Sequence, residues 1–200
     1  MLRRSLIGST AIALVALPAF AQETRRVRGT VEKGDGSKFT VKLPDGSPLE
    51  ISVIGDKPVY TALVKAELAE LKPGAYIGVT SLPQPDGTLK AVAIHFFPDA
   101  ARGAGEGHRA WDQQPNSMMT NATIDTVVTG VDGPALTVKY RNGEKKVLVS
   151  PQTSIVRMVQ GTAADIKPGT KVIIFLASNP GPGWETQRVT YGKDGLTPPM

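Results

Sequence analysis

The side chains of this chain that could do metal chemistry are concentrated between residues 95 and 119. His95 and His108 are the only two histidines of the sequence, and carboxylates and thioethers lie close to them along the chain. Imidazole with a thioether suits copper, and imidazole with a carboxylate suits zinc or a similar ion. The residue types therefore predict a candidate transition-metal site. Its ligands would be drawn from His95, His108, Glu106, Asp112 and Met118, with Asp99 and Met119 as further donors.

The same residues also have a simpler structural interpretation. Their spacing matches no recognised metal site. His95 alternates with Ile94 and Phe96 in a predicted strand, so its side chain is predicted to point to the surface. His108 lies in a glycine-containing segment, and Met118 with Met119 fits a gap-filling role in apolar packing. In this interpretation no cofactor is bound, and the sequence leaves both interpretations open.

Other reactive sites are not indicated. The sequence has no cysteine, which excludes disulfides, thiolate ligands and thiol nucleophiles. It has no G-x-S-x-G or H-E-x-x-H motif. The glycines of Gly103–Gly107 lack the G-K-[ST] ending of a phosphate loop. The chain is therefore not expected to be an enzyme.

The first residues predict export. Arg3 and Arg4 precede an apolar run from Leu6 to Leu17, and Ala19-Phe20-Ala21 is a typical cleavage site. Residues 1–21 are predicted to be a signal peptide, which places the mature chain in the periplasm or outside a bacterial cell. The apolar run is shorter than the ~20 residues that span a bilayer, and no later segment reaches that length. No transmembrane segment is therefore expected in the mature chain.

The charge of the chain is mildly basic, with a formal net charge of +5. Outward positions of the predicted strands, such as Lys42 and Lys139, carry positive charge but no aromatic platform for base stacking. Nucleic acid is therefore not expected as a partner. A basic cluster at Arg25, Arg26 and Arg28 could contact an anionic envelope polymer or lipid headgroups, or it could simply solvate the surface.

The sequence segments that predict the strands and helices around these residues occur twice. Residues 27–97, the first copy, return loosely as residues 123–191, the second copy. Phe39-Thr40-Val41-Lys42 returns as Leu136-Thr137-Val138-Lys139, and Leu71-Lys72-Pro73-Gly74 returns as Ile166-Lys167-Pro168-Gly169. Several landmarks in one order make a chance match improbable and predict an internal repeat.

Each copy predicts the element order β-β-β-α-β-β. Period-two alternation separated by Gly, Pro and Asp turns is typical of strands. Val64, Leu68 and Leu71 instead follow helical spacing, and Pro73-Gly74 would end that helix, which predicts a helix over Thr61 to Leu71 and a shorter helical turn at Thr162 to Ile166.

This order is that of the OB barrel, so the predicted fold is mostly β, with two tandem OB-like five-stranded small barrels joined by a connector. An open sheet covered by the helix is the competing arrangement. The predicted units are a signal peptide (1–21), a first domain (22–97), a Gly-rich connector (98–122), a second domain (123–192) and a frayed tail (193–200).

The chain resembles exported bacterial proteins of uncharacterised OB-like, DUF-type domain families. The resemblance rests on the signal peptide, the R-G-T-V-E-K opening at Arg28–Lys33, the L-K-P-G before strand four and the P-Q-P-D-G-T-L-K-A-V segment at Pro83–Val92. Some relatives are labelled as metal-transport components, often as a permease. This chain departs from that label because no membrane span follows its signal peptide.

Two functional hypotheses follow. The first is a non-catalytic envelope protein whose tandem OB-like domains bind a protein, a glycan or another polymer, or serve as a structural module. The second is a periplasmic accessory metal-binding protein that uses the connector histidines. The oligomeric state is not indicated by any of these features.

Overall fold

The computed structural model describes residues 25–130, 133–176 and 183–200, and the predicted signal peptide lies outside them. Over these ranges the chain is mostly β, and fourteen strands are hydrogen-bonded into one continuous sheet. They are β1 (Arg25–Gly34), β2 (Lys38–Lys42), β3 (Pro48–Val53), β4 (Val59–Lys65), β5 (Tyr76–Pro83), β6 (Leu89–Phe96), β7 (Gly107–Ala110), β8 (Met118–Gly130), β9 (Gly133–Tyr140), β10 (Gly143–Leu148), β11 (Ser154–Gln160), β12 (Lys171–Leu176), β13 (Trp184–Thr186) and β14 (Arg188–Gly192). No helix in the same ranges is long and apolar enough to cross a membrane.

Five of these strands form a closed barrel. β10, β9, β8, β5 and β6 are neighbours in that order. A short parallel contact between β10 and β6, in which Val147 lies opposite Leu89, closes the ring. Closure removes the exposed edges that short strands would otherwise present. The buried members of the barrel core are Leu71, Ile77, Val79, Leu89, Ala91, Ile94, Phe96, Ala122, Ile124, Leu136, Val138, Val147 and Val149.

The first three strands form a second meander, which pairs with strands close to the other end of the sequence. β1 is antiparallel to β12, and β12 is antiparallel to β14. β3 pairs in parallel with β13, where Trp184 lies opposite Ile51. The buried residues of this second cluster are Val27, Val31, Phe39, Val41, Ile51, Ala62, Ile166, Val172, Ile174, Leu176, Val189 and Tyr191.

Strands of the two predicted copies pair with each other. The closed barrel takes β5 and β6 from the first copy and β8, β9 and β10 from the second. In the same way, β1 and β3 of the first copy pair with β12 and β13 of the second. The predicted tandem barrels, one from each copy, are therefore not confirmed. This pairing is invisible in the sequence because both copies carry the same alternation, so each meander can bury its apolar face against the closing strands of either copy.

The predicted helices are not confirmed either. Residues Val59–Lys65 form β4, and only Leu68–Glu70 turn, as a single 3-10 turn. The predicted helical turn of the second copy is likewise one 3-10 turn, Ala163–Asp165. The spacing of Val64, Leu68 and Leu71 predicts a helix, but the β-branched and aromatic residues that precede Val64 favour a strand because they fit a pleated surface. Pairing of β4 with other strands then decided the conformation.

Strands β4 and β11 join the two halves of the sheet. They pair antiparallel, with Leu63 opposite Met158. β4 also pairs in parallel with β14, and β11 pairs in parallel with β6. A third buried cluster covers this junction and consists of Leu63, Met119, Val156, Ile173 and Met200. The junction strands thus tie both apolar clusters into one sheet.

The connector and the last residues are both packed against the sheet. β7 lies within the predicted connector and pairs with β8, which begins at Met118. Met200 is only 7% exposed and belongs to the junction cluster. Its backbone oxygen accepts a hydrogen bond from Arg28 Nε at 3.1 Å. The predicted frayed tail is therefore wrong for this residue, because burial of the Met200 side chain offsets the entropy of ordering the segment.

Candidate binding site

Trp111 fixes the connector to β1. The guanidinium carbon of Arg26 lies 3.5 Å from the centroid of the Trp111 ring, and Phe175 lies on a neighbouring strand with its centroid 5.2 Å from the same carbon. Asp112 forms ion pairs with Arg26 and with Arg28, the latter at 2.9 Å. Burial opposes ionisation of Asp112, but the hydrogen bond from Arg28 and the charges of both arginines hold its pKa below the usual value. Asp112 is therefore an ionised structural anchor.

His95 is buried rather than exposed, contrary to the prediction from alternation. Its exposed fraction is 4%, and its ring makes an edge contact with Phe97 at 4.8 Å between centroids. Burial, and to a smaller extent the charge of Arg109, lowers the pKa of His95 to about 3. The alternation rule failed because the connector covers the outer face of β6 at this point. His95 is consequently neutral at physiological pH.

A small polar cluster surrounds His95 under the connector. The register places His95, Gly78 and Asn121 side by side on β6, β5 and β8. Asn121 Nδ2 donates a hydrogen bond to the oxygen of Ala104 at 3.1 Å. Among the described contacts, His95 Nδ1 and Asn121 Oδ1 are buried without a partner. A Cβ on Gly78 would collide with the His95 ring and lie 2.8 Å from Asn121 Oδ1, so glycine makes room for the cluster.

Three of the predicted metal ligands, Asp112, His108 and Glu106, already have other partners. His108 Nδ1 shares a hydrogen bond with Thr120 Oγ1 at 2.8 Å, and burial lowers its pKa. Glu106 accepts a hydrogen bond from the backbone of Arg141 at 2.9 Å. Met118 is half-buried at the start of β8. In residues 25–130, 133–176 and 183–200, no three His, Cys, Asp or Glu side chains lie close enough to hold a metal ion. The metal site stays a prediction that this geometry does not support.

One open depression is polar and charge-balanced. It has a volume of about 390 Å³ and is bordered by the Ala163–Asp165 turn and by the end of β14. Asp165 accepts a hydrogen bond from the Tyr191 hydroxyl at 2.5 Å and another from Thr162 Oγ1 at 2.9 Å. Burial, followed by this bond to Asp165, raises the pKa of Tyr191 to about 12. The Asp165 carboxylate therefore caps its own turn. On the rim, the positive charges of Lys167 and Lys193 balance the negative charges of Asp165 and Asp194.

A second groove differs from this depression because its lining is mostly apolar and, among the described residues, its charged side chains are all positive. It lies over β12, β1 and β2, between the β2–β3 turn and the last residues of the chain, and has a volume of about 320 Å³. It falls at the small end of the range for ligand pockets, roughly 300–1,000 Å³. Its lining residues are Arg28, Gly29, Thr30, Lys42, Leu43, Pro44, Lys171, Val172, Ile173, Thr197 and Pro198. We call it the basic groove.

Three positively charged side chains line the basic groove, and they differ in the contacts that they already make. Arg28 is already bound to Asp112 and to the oxygen of Met200. Lys171 donates a hydrogen bond to the hydroxyl of Thr197, at 2.8 Å, and has no ion pair within the described ranges. Lys42 is exposed, and no ion pair holds it within the described part of the chain. Two ammonium groups are therefore free to meet an anion.

Two of the three cations of the basic groove, Arg28 and Lys42, were noted from the sequence as positive positions, but no groove was predicted. Arg28 and Lys42 stand out as outward positive positions, because Val27, Val31 and Val41 alternate with them and are buried. Lys171 and the Thr197-Pro198 wall were missed. Only pairing between the two predicted copies brings β12 beside β1, so no local pattern could have joined them.

Comparisons of the chain with protein-family models, with curated proteins and with solved structures found no match.

Proposed function

We propose that this chain is a non-catalytic exported binding protein and that the basic groove is its ligand site. One observation carries the proposal: an apolar concavity of about 320 Å³ bordered by three cations, with no carboxylate among the described residues that line it. Ligand sites are typically concave and mostly apolar, with a few polar groups that orient the ligand. The periplasm or the cell exterior is the proposed location, on the strength of the signal sequence.

The proposed scaffold is a pair of barrels with exchanged strands. We infer that β1, β2 and β3 close with β12, β13 and β14 as a second barrel beside the first. The parallel contact of β3 with β13 supports this, because it corresponds to the contact of β10 with β6 that closes the first barrel. A rigid floor of paired strands would hold the groove open without a ligand, which reduces the entropic cost of binding.

A binding role is favoured over catalysis by the state of the two histidines. A general base must reach the proton that it abstracts and have a pKa near the working pH. His95 is buried with a pKa of about 3, and His108 is bonded to Thr120. Neither histidine lines the basic groove. The groove therefore offers recognition groups, a hydroxyl and ammonium groups, rather than an acid–base pair.

The experiment that tests the proposal maps ligand contacts on the mature chain, residues 22–200. Amide proton–nitrogen NMR spectra would be recorded with three probes of similar chain length: decanoate, the neutral decyl maltoside and the cationic decyltrimethylammonium. We expect saturable shifts at Gly29, Leu43 and Thr197 with at least one probe. Shifts confined to other surfaces, or none with any probe, would reject the groove as a ligand site.

A further inference from the structure

We propose that the ligand of the basic groove is a single-chain anionic amphiphile, a carboxylate or sulfate carried by one medium-length alkyl chain. This inference rests on the proposed function and adds the chemical class of the ligand. It follows from the positions of two lysines and one hydroxyl on neighbouring strands, and from the apolar walls beside them.

The anionic group is selected by a row of side chains across three strands. Thr30 of β1 lies directly opposite Lys171 of β12 and also opposite Lys42 of β2. Adjacent strands are about 4.8 Å apart, so the two lysine backbones flank Thr30 at about 10 Å from each other. Lysine side chains are long enough to converge on a group bound above Thr30, whose hydroxyl can also donate. A carboxylate or sulfate there would meet two ammonium groups and a hydroxyl.

The alkyl chain is selected by the walls of the groove. Pro44 and Leu43 form one side, buried Pro198 forms the other, and Ile173 lies beside Arg28 on the floor. An inorganic anion would leave the exposed Pro44 and the half-buried Leu43 in contact with water. A neutral lipid would bury them but would leave the lysines without a counter-charge. Each methylene group removed from water strengthens binding about fourfold, so affinity should rise with chain length.

A bilayer surface is a less suitable occupant than a single free molecule. The groove is a narrow cleft between a turn and the last residues of the chain, and its volume of about 320 Å³ matches one chain rather than a flat array of headgroups. The exposed hydrophobic side chains Val59, Leu68, Val128 and Leu148 do not line it. The proposed occupant of the basic groove is therefore a monomeric amphiphile bound from solution.

The test is calorimetric titration of residues 22–200 with decanoate, hexanoate, 1-decanol and sulfate, all below their aggregation limits. The variant is Lys42→Met/Lys171→Met, which removes two charges and keeps apolar length. Its matched control is Lys57→Met/Lys72→Met, which removes two exposed charges outside the groove. Wild type and control should bind decanoate equally and at least tenfold more tightly than hexanoate or sulfate.

The variant should lose about tenfold in decanoate affinity and keep its affinity for 1-decanol, which also shows that its groove is folded. Equal affinity of wild type for decanoate and 1-decanol would overturn the anionic specificity and leave the binding function standing. An unchanged decanoate affinity in the variant would likewise overturn the anionic specificity and leave the binding function standing. Sulfate binding as tightly as decanoate would reject the alkyl requirement, and lysine-dependent binding only to anionic phosphatidylglycerol vesicles would replace the free ligand with a membrane. Absence of binding by any of these ligands, together with unchanged groove amides, would reject both proposals.

Discussion

Leu63 and Met158 lie opposite each other where β4 and β11 pair. They are 95 residues apart in sequence, which is also the offset between the Leu71 and Ile166 landmarks of the predicted repeat. This pairing is the one expected if a local two-fold axis relates the two predicted copies, as it relates the protomers of a symmetric dimer.

The first prediction concerns the junction at this pair. Leu63 is fully buried, and truncating such a leucine leaves a cavity. Leu63→Ala should reduce the free energy of unfolding by about 2–5 kcal/mol. Because strands of the two predicted copies pair with each other, urea unfolding followed by circular dichroism and by tryptophan fluorescence should give a single coincident transition. Two separate transitions, with only one shifted by the substitution, would show that the halves are independent.

The second prediction concerns the space at Gly78. An added methyl group would collide with the His95 ring, so Gly78→Ala should destabilise the fold by about 1–3 kcal/mol, the usual cost of overpacking. A double-mutant cycle provides the control. In a His95→Ala background the same substitution should cost clearly less, because the ring that it meets is gone. Equal costs in both backgrounds would show that the His95 contact is not the cause.

The third prediction concerns pH. The pKa of His95 is about 3 in the folded chain, whereas an unfolded histidine has a pKa of about 6.5. Between these values the unfolded state binds the extra proton, so this group lowers stability as pH falls below 6.5, on the order of 1.4 kcal/mol per pH unit. Unfolding at pH 7 and pH 5 should therefore differ more in wild type than in His95→Gln.

Proton NMR of the two imidazoles checks the same point directly. The His95 resonances should stay constant from pH 7.5 to pH 5, whereas the His108 ring is only partly buried and burial lowers its pKa from the usual value. A His95 midpoint near 6.5 would contradict the buried, neutral ring.

The fourth prediction concerns metal binding. The candidate ligands are held apart by their own contacts, with Asp112 bound to two arginines and Glu106 to a backbone amide. We therefore expect copper and zinc to produce no saturable rise in melting temperature that is lost in His108→Ala. Stoichiometric binding that disappears in this variant would restore the hypothesis that the connector histidines hold an ion.

Local features of the fold were predictable from residues alone. Alternation placed Val27, Val31 and Val41 in the core, and all three are buried. Turn residues separated the predicted strands nearly where they end. Both are short-range properties, since a strand's period and a glycine's permitted backbone angles depend on near neighbours only.

The burial of His95 shows where local reasoning stops. Alternation gives the face on which a side chain lies, but a face is exposed only if nothing covers it. Here the connector covers the outside of β6. It is held there by the contact of Trp111 with Arg26 and by the hydrogen bond from Asn121 to Ala104. Its position depends on contacts between residues far apart in sequence.

Residue patterns were sufficient to predict a mostly β protein, which the fold confirms, and to place Lys42 at an outward strand position, where it is exposed. The pairing of β1 with β12, which places Lys171 across β1 from Lys42, is visible in the tertiary structure alone. Strand pairing is non-local, and a strand can bury its alternating apolar face against more than one partner of similar pattern. The pairing of β1 with β12 brings the residues of the basic groove together.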